Sequence, residues 1–143
     1  MMKEYFLIRQ DKKEKIVKKI IHTLTKEREI IFAYLFGSFL DGLSFRDIDI
    51  GIYIEKSRPE QTFDYELELC RKISKACNLP FDIVEVKVLN FAPHPFLNSI
   101  FRDGKLLFSR NEKLLLDMIE NSSLLALANE YISQQSLKEL IPN

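Results

Sequence analysis

The sequence is short of the residues that staple, anchor or polarise a chain. Two cysteines occur in 143 residues, Cys70 and Cys77, within a stretch of helical pattern. Seven residues of helix separate them by roughly 10 Å along the axis, beyond the ~7 Å that a disulfide spans, so both read as small core side chains. The two histidines, His22 and His94, are not placed to complete a metal site with them. Charge of one sign is equally scarce. Lys and Arg total 21 and Asp and Glu total 21, which argues against a polymeric nucleic acid as partner, because such binding rests on a surplus of cations over phosphates. A mononucleotide is not excluded. No stretch reaches the ~18–20 apolar residues of a membrane span. The N-terminal MMKEYFLIRQDKKEK lacks a small-residue cleavage pattern, so a cytoplasmic protein is expected. Linkers, repeats and low-complexity segments are missing too. What remains, 46% apolar and 29% charged residues, is an ordinary globular composition. It predicts a single domain over 1–143, long enough to bury a self-sustaining core.

Local patterns predict the order of elements. Asp11-Lys-Lys-Glu14 has capping-box form, and Ile16, Val17, Ile20, Ile21 and Leu24 follow at helical spacing, predicting a helix over about 11–28. The continuous apolar run 30–36 ending at Gly37 reads as a buried strand. A turn-like stretch follows, and then strict alternation over 47–54 gives a second strand. Pro59 opens a helix whose buried stripe is Phe63, Leu67, Cys70, Ile73 and Cys77, stopped by Asn78-Leu79-Pro80. A strand over 81–88, a short helix over 96–102 closed by Gly104, a strand KLLFS and a helix from Asn111 to about 140 complete the chain, with a break expected at Asn121–Ser123. The turn between the first two strands is too short for a parallel crossover, which takes a dozen or more residues. The expected class is therefore α+β, an α/β sandwich with a mixed or antiparallel sheet of about four strands and flanking helices.

The chemistry gathers in one window. Gly37, Gly42 and Gly51 lie close together, and glycine is used where backbone bends sharply or approaches a ligand. Asp47 and Asp49 are two apart on the alternating strand, so both share a face opposite Ile48, Ile50, Ile52 and Ile54. The isoleucine stripe fixes the register and holds two like charges side by side, a repulsion that a cation relieves. Mg²⁺ suits them, since it takes one or two carboxylates plus substrate phosphates. Gly51, on the carboxylate face, is expected to leave room above the sheet for a ligand. Gly37-Ser38 ends a buried strand and offers backbone N–H groups and a hydroxyl to phosphate. Singly these are an ordinary capped turn and a solvated strand face. Together they fit a nucleoside triphosphate with Mg²⁺. A third carboxylate would complete a two-metal or metal-plus-base site. Asp82, in phase with three valines, is the candidate, ahead of Glu85 on the opposite strand face.

LFGSFLDGLSFRDIDIGIYI followed by FDIVEV resembles the minimal nucleotidyltransferase branch of the DNA-polymerase-β-like nucleotidyltransferase superfamily. The resemblance covers about 13–110 and leaves 111–143 as a helical tail. It implies the polymerase-β-like nucleotidyltransferase fold. It also implies that Gly37 and Ser38 hold the β- and γ-phosphates, that Asp47 and Asp49 ligate Mg²⁺, and that Asp82 binds metal and activates the acceptor. The implied reaction is attack of a hydroxyl on the α-phosphorus of ATP or another NTP, with two Mg²⁺ ions, releasing pyrophosphate. Two departures stand out: the Ser38–Asp47 spacer of eight residues is shorter than usual in the family, and Arg46 replaces the common Ser before the first Asp. Neither removes a ligand. The tail is too short for an acceptor-binding domain, so the acceptor is expected on another chain. Proteins of this branch are similar to the antitoxin half of a pair with a HEPN-domain toxin, which they modify by AMP transfer to a tyrosine. Tyr53 and Phe39 are candidates to frame the acceptor. Leu124, Leu125, Leu127, Ala128 and Tyr131 are expected to cover the sheet rather than dock a partner, and Arg102 and Lys105 to be solvated. Two other functions stay open on the residues: a noncatalytic module that masks its partner, and a small-molecule nucleotidyltransferase of the aminoglycoside type.

Overall fold

The computed structural model describes residues 6–42, 44–56 and 59–140. In chain order these form β1 (Phe6–Leu7), α1 (Gln10–Thr25), β2 (Ile30–Phe36), β3 (Ser44–Phe45), β4 (Ile48–Ile54), α2 (Pro59–Cys77), β5 (Val84–Val88), α3 (His94–Asp103), β6 (Lys105–Ser109) and α4 (Glu112–Leu140). Short 3₁₀ turns lie at Ser38–Leu40 and Phe81–Ile83. The main sheet is mixed, with strand order β5-β4-β2-β6. β2 runs antiparallel to β4 and β6, and β4 runs parallel to β5, with α2 as the crossover that a parallel pair requires. β1 and β3 form a separate two-strand ribbon. This is the expected α+β class, with a four-strand mixed sheet and four helices.

Each sheet face has its own core. On one, Ile16, Ile20 and Leu24 of α1 and Leu69, Cys70 and Ile73 of α2 pack on the isoleucines of β4 and on Val84, Val86 and Val88. Ile48, Ile50 and Ile52 are fully buried, so the alternation of β4 reads correctly. On the other face, Leu97 and Ile100 of α3 and Leu115 of α4 cover Phe32 and Tyr34. Cys70 and Cys77 are free and buried, and burial pushes both thiols up from their ordinary range.

Several local expectations are corrected. α1 begins at Gln10, and its N-cap is Arg9 with no side-chain cap, so Asp11 lies inside the first turn rather than capping it. The turn from α1 into β2 is held from afar: the Arg110 guanidinium donates to Thr25 O at the end of α1, to Glu27 O in the turn and to Ile30 O at the start of β2. The strand expected over 81–88 begins at Val84, after the 3₁₀ turn. α4 runs unbroken through Asn121–Ser123, starting where Asn111 Oδ1 accepts the Leu114 N–H at 3.1 Å, an N-cap interaction. Its residues Leu124, Leu127 and Tyr131 are exposed rather than laid over the sheet. Phe63, expected in the core of α2, is 65% exposed.

Candidate active site

The site is assembled where three neighbouring strands meet. In the pairing of β2 with β4, Phe36 stands opposite Asp49, so Gly37, the next residue, passes directly beside that carboxylate. Gly37 has φ +81°, and a Cβ there would collide with Asp49 Oδ2. A side chain is thus excluded twice, by backbone strain and by the carboxylate itself. Ser38 opens the 3₁₀ turn. Its hydroxyl accepts the Arg46 N–H at 3.2 Å and donates to Asp47 O at 3.5 Å, tying the glycine turn to the start of β4. Lys13 of α1 is buried beneath the same loop, donating to Gly42 O at 2.6 Å with its ammonium 4.9 Å from the Phe39 ring centroid. Burial lowers its pKa. Gly37, Ser38, Asp47 and Asp49 are therefore brought together, with both aspartates half-buried.

Glu85 lies on the strand face opposite the valines, as expected, and that is the face that carries Asp49. The three valines of β5 face the helices α1 and α2, so a residue in phase with them would point away from Asp49. Glu85 is out of phase with them and pairs in register with Asp49, while Lys87 pairs with Gly51. Register partners on neighbouring strands share a face at about 4.8 Å spacing. Asp82 lies in the 3₁₀ turn just before β5. Asp49, Asp82 and Glu85 nevertheless line one cleft of about 570 Å³, which wraps around the outer edge of β5 onto α2. That edge is held by α2, where Glu66 accepts the Val88 N–H at 2.8 Å.

Other expected site features fall elsewhere. Gly51 does not leave space for a ligand: a Cβ there would meet the Leu89 side chain at 3.0 Å, and Leu89 fills the position. Phe39 is fully buried, packed edge-on to Phe45 at 4.9 Å, and Tyr53 is stacked on Phe32 at 5.2 Å. Neither frames the cleft. Its aromatic walls are Phe63 and Phe81, 65% and 47% exposed, with Phe36 and Phe96 packed edge-on at 5.7 Å. Arg102 pairs with Asp103 at 3.0 Å on the surface, and exposed Lys105 lines a separate groove against α1. The sequence pattern puts Glu85 and Lys87 on the strand face opposite the valines, where the structure also has them, but it does not single out Lys87, Phe63 or Phe81 as site residues.

Among the described residues no group of three or more His, Cys, Asp or Glu side chains could hold a metal ion, so Asp47, Asp49 and Asp82 are not a preformed cage. The donor set still fits Mg²⁺, which uses one or two carboxylates and draws its other ligands from substrate phosphate and water. The glycine turn lies directly against the Asp49 carboxylate.

A mixed sheet carrying a Gly-Ser turn beside an Asp-x-Asp strand defines a nucleotidyltransferase domain. The chain matches the family described as polymerase beta, nucleotidyltransferase over residues 18–113, more than half its length, and it belongs to that family. No curated protein matches it. Among solved structures it is similar to the complex of a tri-AMPylated Shewanella oneidensis HEPN toxin with its MNT antitoxin, at 18% identity and TM-score 0.64, covering 91% of this chain and 99% of that one. A toxin–antitoxin crystallised with AMP-PNP matches at 21% identity and TM-score 0.65, covering 88% and 98%. The toxin–antitoxin MntA–HepT matches at 17% and 0.58, covering 94% and 100%. These likenesses establish a shared fold.

Proposed function

We propose that this chain is an Mg²⁺-dependent adenylyltransferase that moves AMP from ATP to a tyrosine hydroxyl of a HEPN-fold toxin, as the antitoxin of the pair. The observation that carries the reading is the Asp49 carboxylate set against Gly37, with Asp47 two residues before it and Glu85 in register beside it. Gly37 and Ser38 would cradle the β- and γ-phosphates, and Asp47 and Asp49 would hold Mg²⁺. When bound, the metal neutralises charge developing on the transferring phosphoryl group. The acceptor oxygen attacks the α-phosphorus, the bond from that phosphorus to the bridging oxygen breaks, and pyrophosphate leaves with the bonding pair. The hydroxyl proton passes to a cleft carboxylate: Glu85 by register, with Asp82 beside it. The domain reading of one catalytic unit with a tail over 111–143, of which α4 covers Glu112–Leu140 and 141–143 lie outside the described residues, belongs to the same proposal. The relatives crystallised with HEPN toxins support the choice of partner, as do the exposed apolar side chains of α4.

The test is transfer of label from α-labelled ATP to a purified HEPN-fold partner, with an Asp49→Asn control. Label on the partner that disappears in the control, by roughly 10²-fold or more, is expected. Absence of label together with a stable complex would replace this reading by masking.

A further inference from the structure

We propose that Phe63 and Phe81 form the acceptor-side wall of the cleft and select an aromatic hydroxyl presented by a protein segment. The inference rests on the nucleotidyl-transfer reading of the site. The sheet order carries the first step. Gly37 and Ser38 follow β2 on one side of β4, whereas β5 and the Phe81–Ile83 turn flank β4 on the other. In phosphoryl transfer the attacking and leaving oxygens lie roughly in line. Pyrophosphate departing over the glycine turn therefore requires an acceptor arriving across β5.

The approach across β5 has a definite chemistry. Phe63 reaches it from the first turns of α2 and Phe81 from the turn before β5, and both rings line the cleft with Asp82 and Glu85. Phe63 breaks the buried stripe of its helix, where Leu69, Cys70 and Ile73 face the core, and it stays 65% exposed, with Phe81 at 47%. Two open phenylalanine rings beside carboxylates suit an apolar ring that carries a hydroxyl, which packs edge-on or offset against them. The acceptor's ring rests on the phenylalanines, its oxygen faces the α-phosphorus, and its proton leaves to the carboxylate beneath.

The experiment measures label transfer from α-labelled ATP to the purified HEPN-fold partner by wild type, Phe63→Ala, Phe81→Ala and the double variant, varying ATP and partner separately. Both rings are exposed, so unchanged melting temperatures confirm intact variants. The expected result is a KM for the partner raised about tenfold per ring, equivalent to ~1.4 kcal/mol, with the KM for ATP within about twofold of wild type. Phe→Leu variants should recover part of the loss. A raised KM for ATP with an unchanged partner KM would assign the rings to the nucleobase and overturn the proposal. Unchanged constants for both substrates would overturn it as well. Wild type that transfers no label contradicts the nucleotidyl-transfer reading itself and removes this inference with it, an outcome distinct from transfer that ignores the rings.

Discussion

Gly37 shows most plainly what the site demands of a single residue. Its positive φ and the carboxylate beside it leave no volume for a methyl group. Gly37→Ala should destabilise the fold by about 1–3 kcal/mol, the cost of a strained backbone position, and should displace the Asp49 carboxylate. A denaturant titration reads the first effect, and loss of nucleotide binding in the still-folded variant reads the second. The placement of Gly37, Ser38 and Asp49 was legible in the sequence because a glycine ends a buried run and the isoleucine alternation orients Asp49, whereas Asp47 lies just before β4, which begins at Ile48 rather than at Asp47. Gly51 misled, since a glycine signals only that something approaches closely, and here the neighbour is Leu89 rather than a ligand. Asp82 lies in a 3₁₀ turn rather than in the strand expected from Phe81, so strand phase does not set its direction, and it lines the cleft with Asp49 and Glu85. Register predicts that Glu85→Gln lowers transfer by roughly 10²-fold or more, the scale of a general base, and that Asp82→Asn costs less. Steady-state rates of the two variants decide, and the reverse order would put the base at Asp82.

Among elements, the strands were the most readable and the helix ends the least. The isoleucine stripe of β4 allows one orientation, because a one-residue slip would turn four isoleucines to the other face. The turn between α1 and β2 is bridged by a residue up to 85 positions away in sequence, which no local pattern shows: Arg110 gathers the carbonyls of Thr25, Glu27 and Ile30. A guanidinium there meets the negative end of the helix dipole. Arg110→Ala should cost about 1–2 kcal/mol, less than a buried charged hydrogen-bond set because the side chain is exposed. Chemical denaturation of the variant measures it, and a change below a few tenths would show that water replaces the guanidinium at no cost. The aromatic residues were hardest to place. Phe39 and Tyr53 lie next to the motif in sequence yet are packed inward. Phe63 and Phe81 are distant in sequence and come to the cleft only through the α2 crossover.

At the scale of the whole molecule, the α+β class and a sheet of about four strands followed from turn lengths and from alternation, both of which are local, while the choice between a mixed and an antiparallel sheet is made by the parallel pairing of β4 with β5. What lay beyond the sequence was the way β5, as an edge strand, lets the cleft run around it onto α2. The outward side of α4 was also unreadable, because an apolar helix stripe looks the same whether it covers a sheet or faces outward. No helix among the described residues is long and apolar enough to cross a membrane. The proposed function places a metal-dependent nucleotide site at Asp47 and Asp49 beside the Gly37 turn. Calorimetric titration of the chain with a non-hydrolysable ATP analogue, with and without Mg²⁺, tests it most directly when wild type and Asp49→Asn are compared. Binding that requires Mg²⁺ and is weakened at least about tenfold in the variant is expected. Binding of equal strength without the metal, or undiminished in Asp49→Asn, would contradict it.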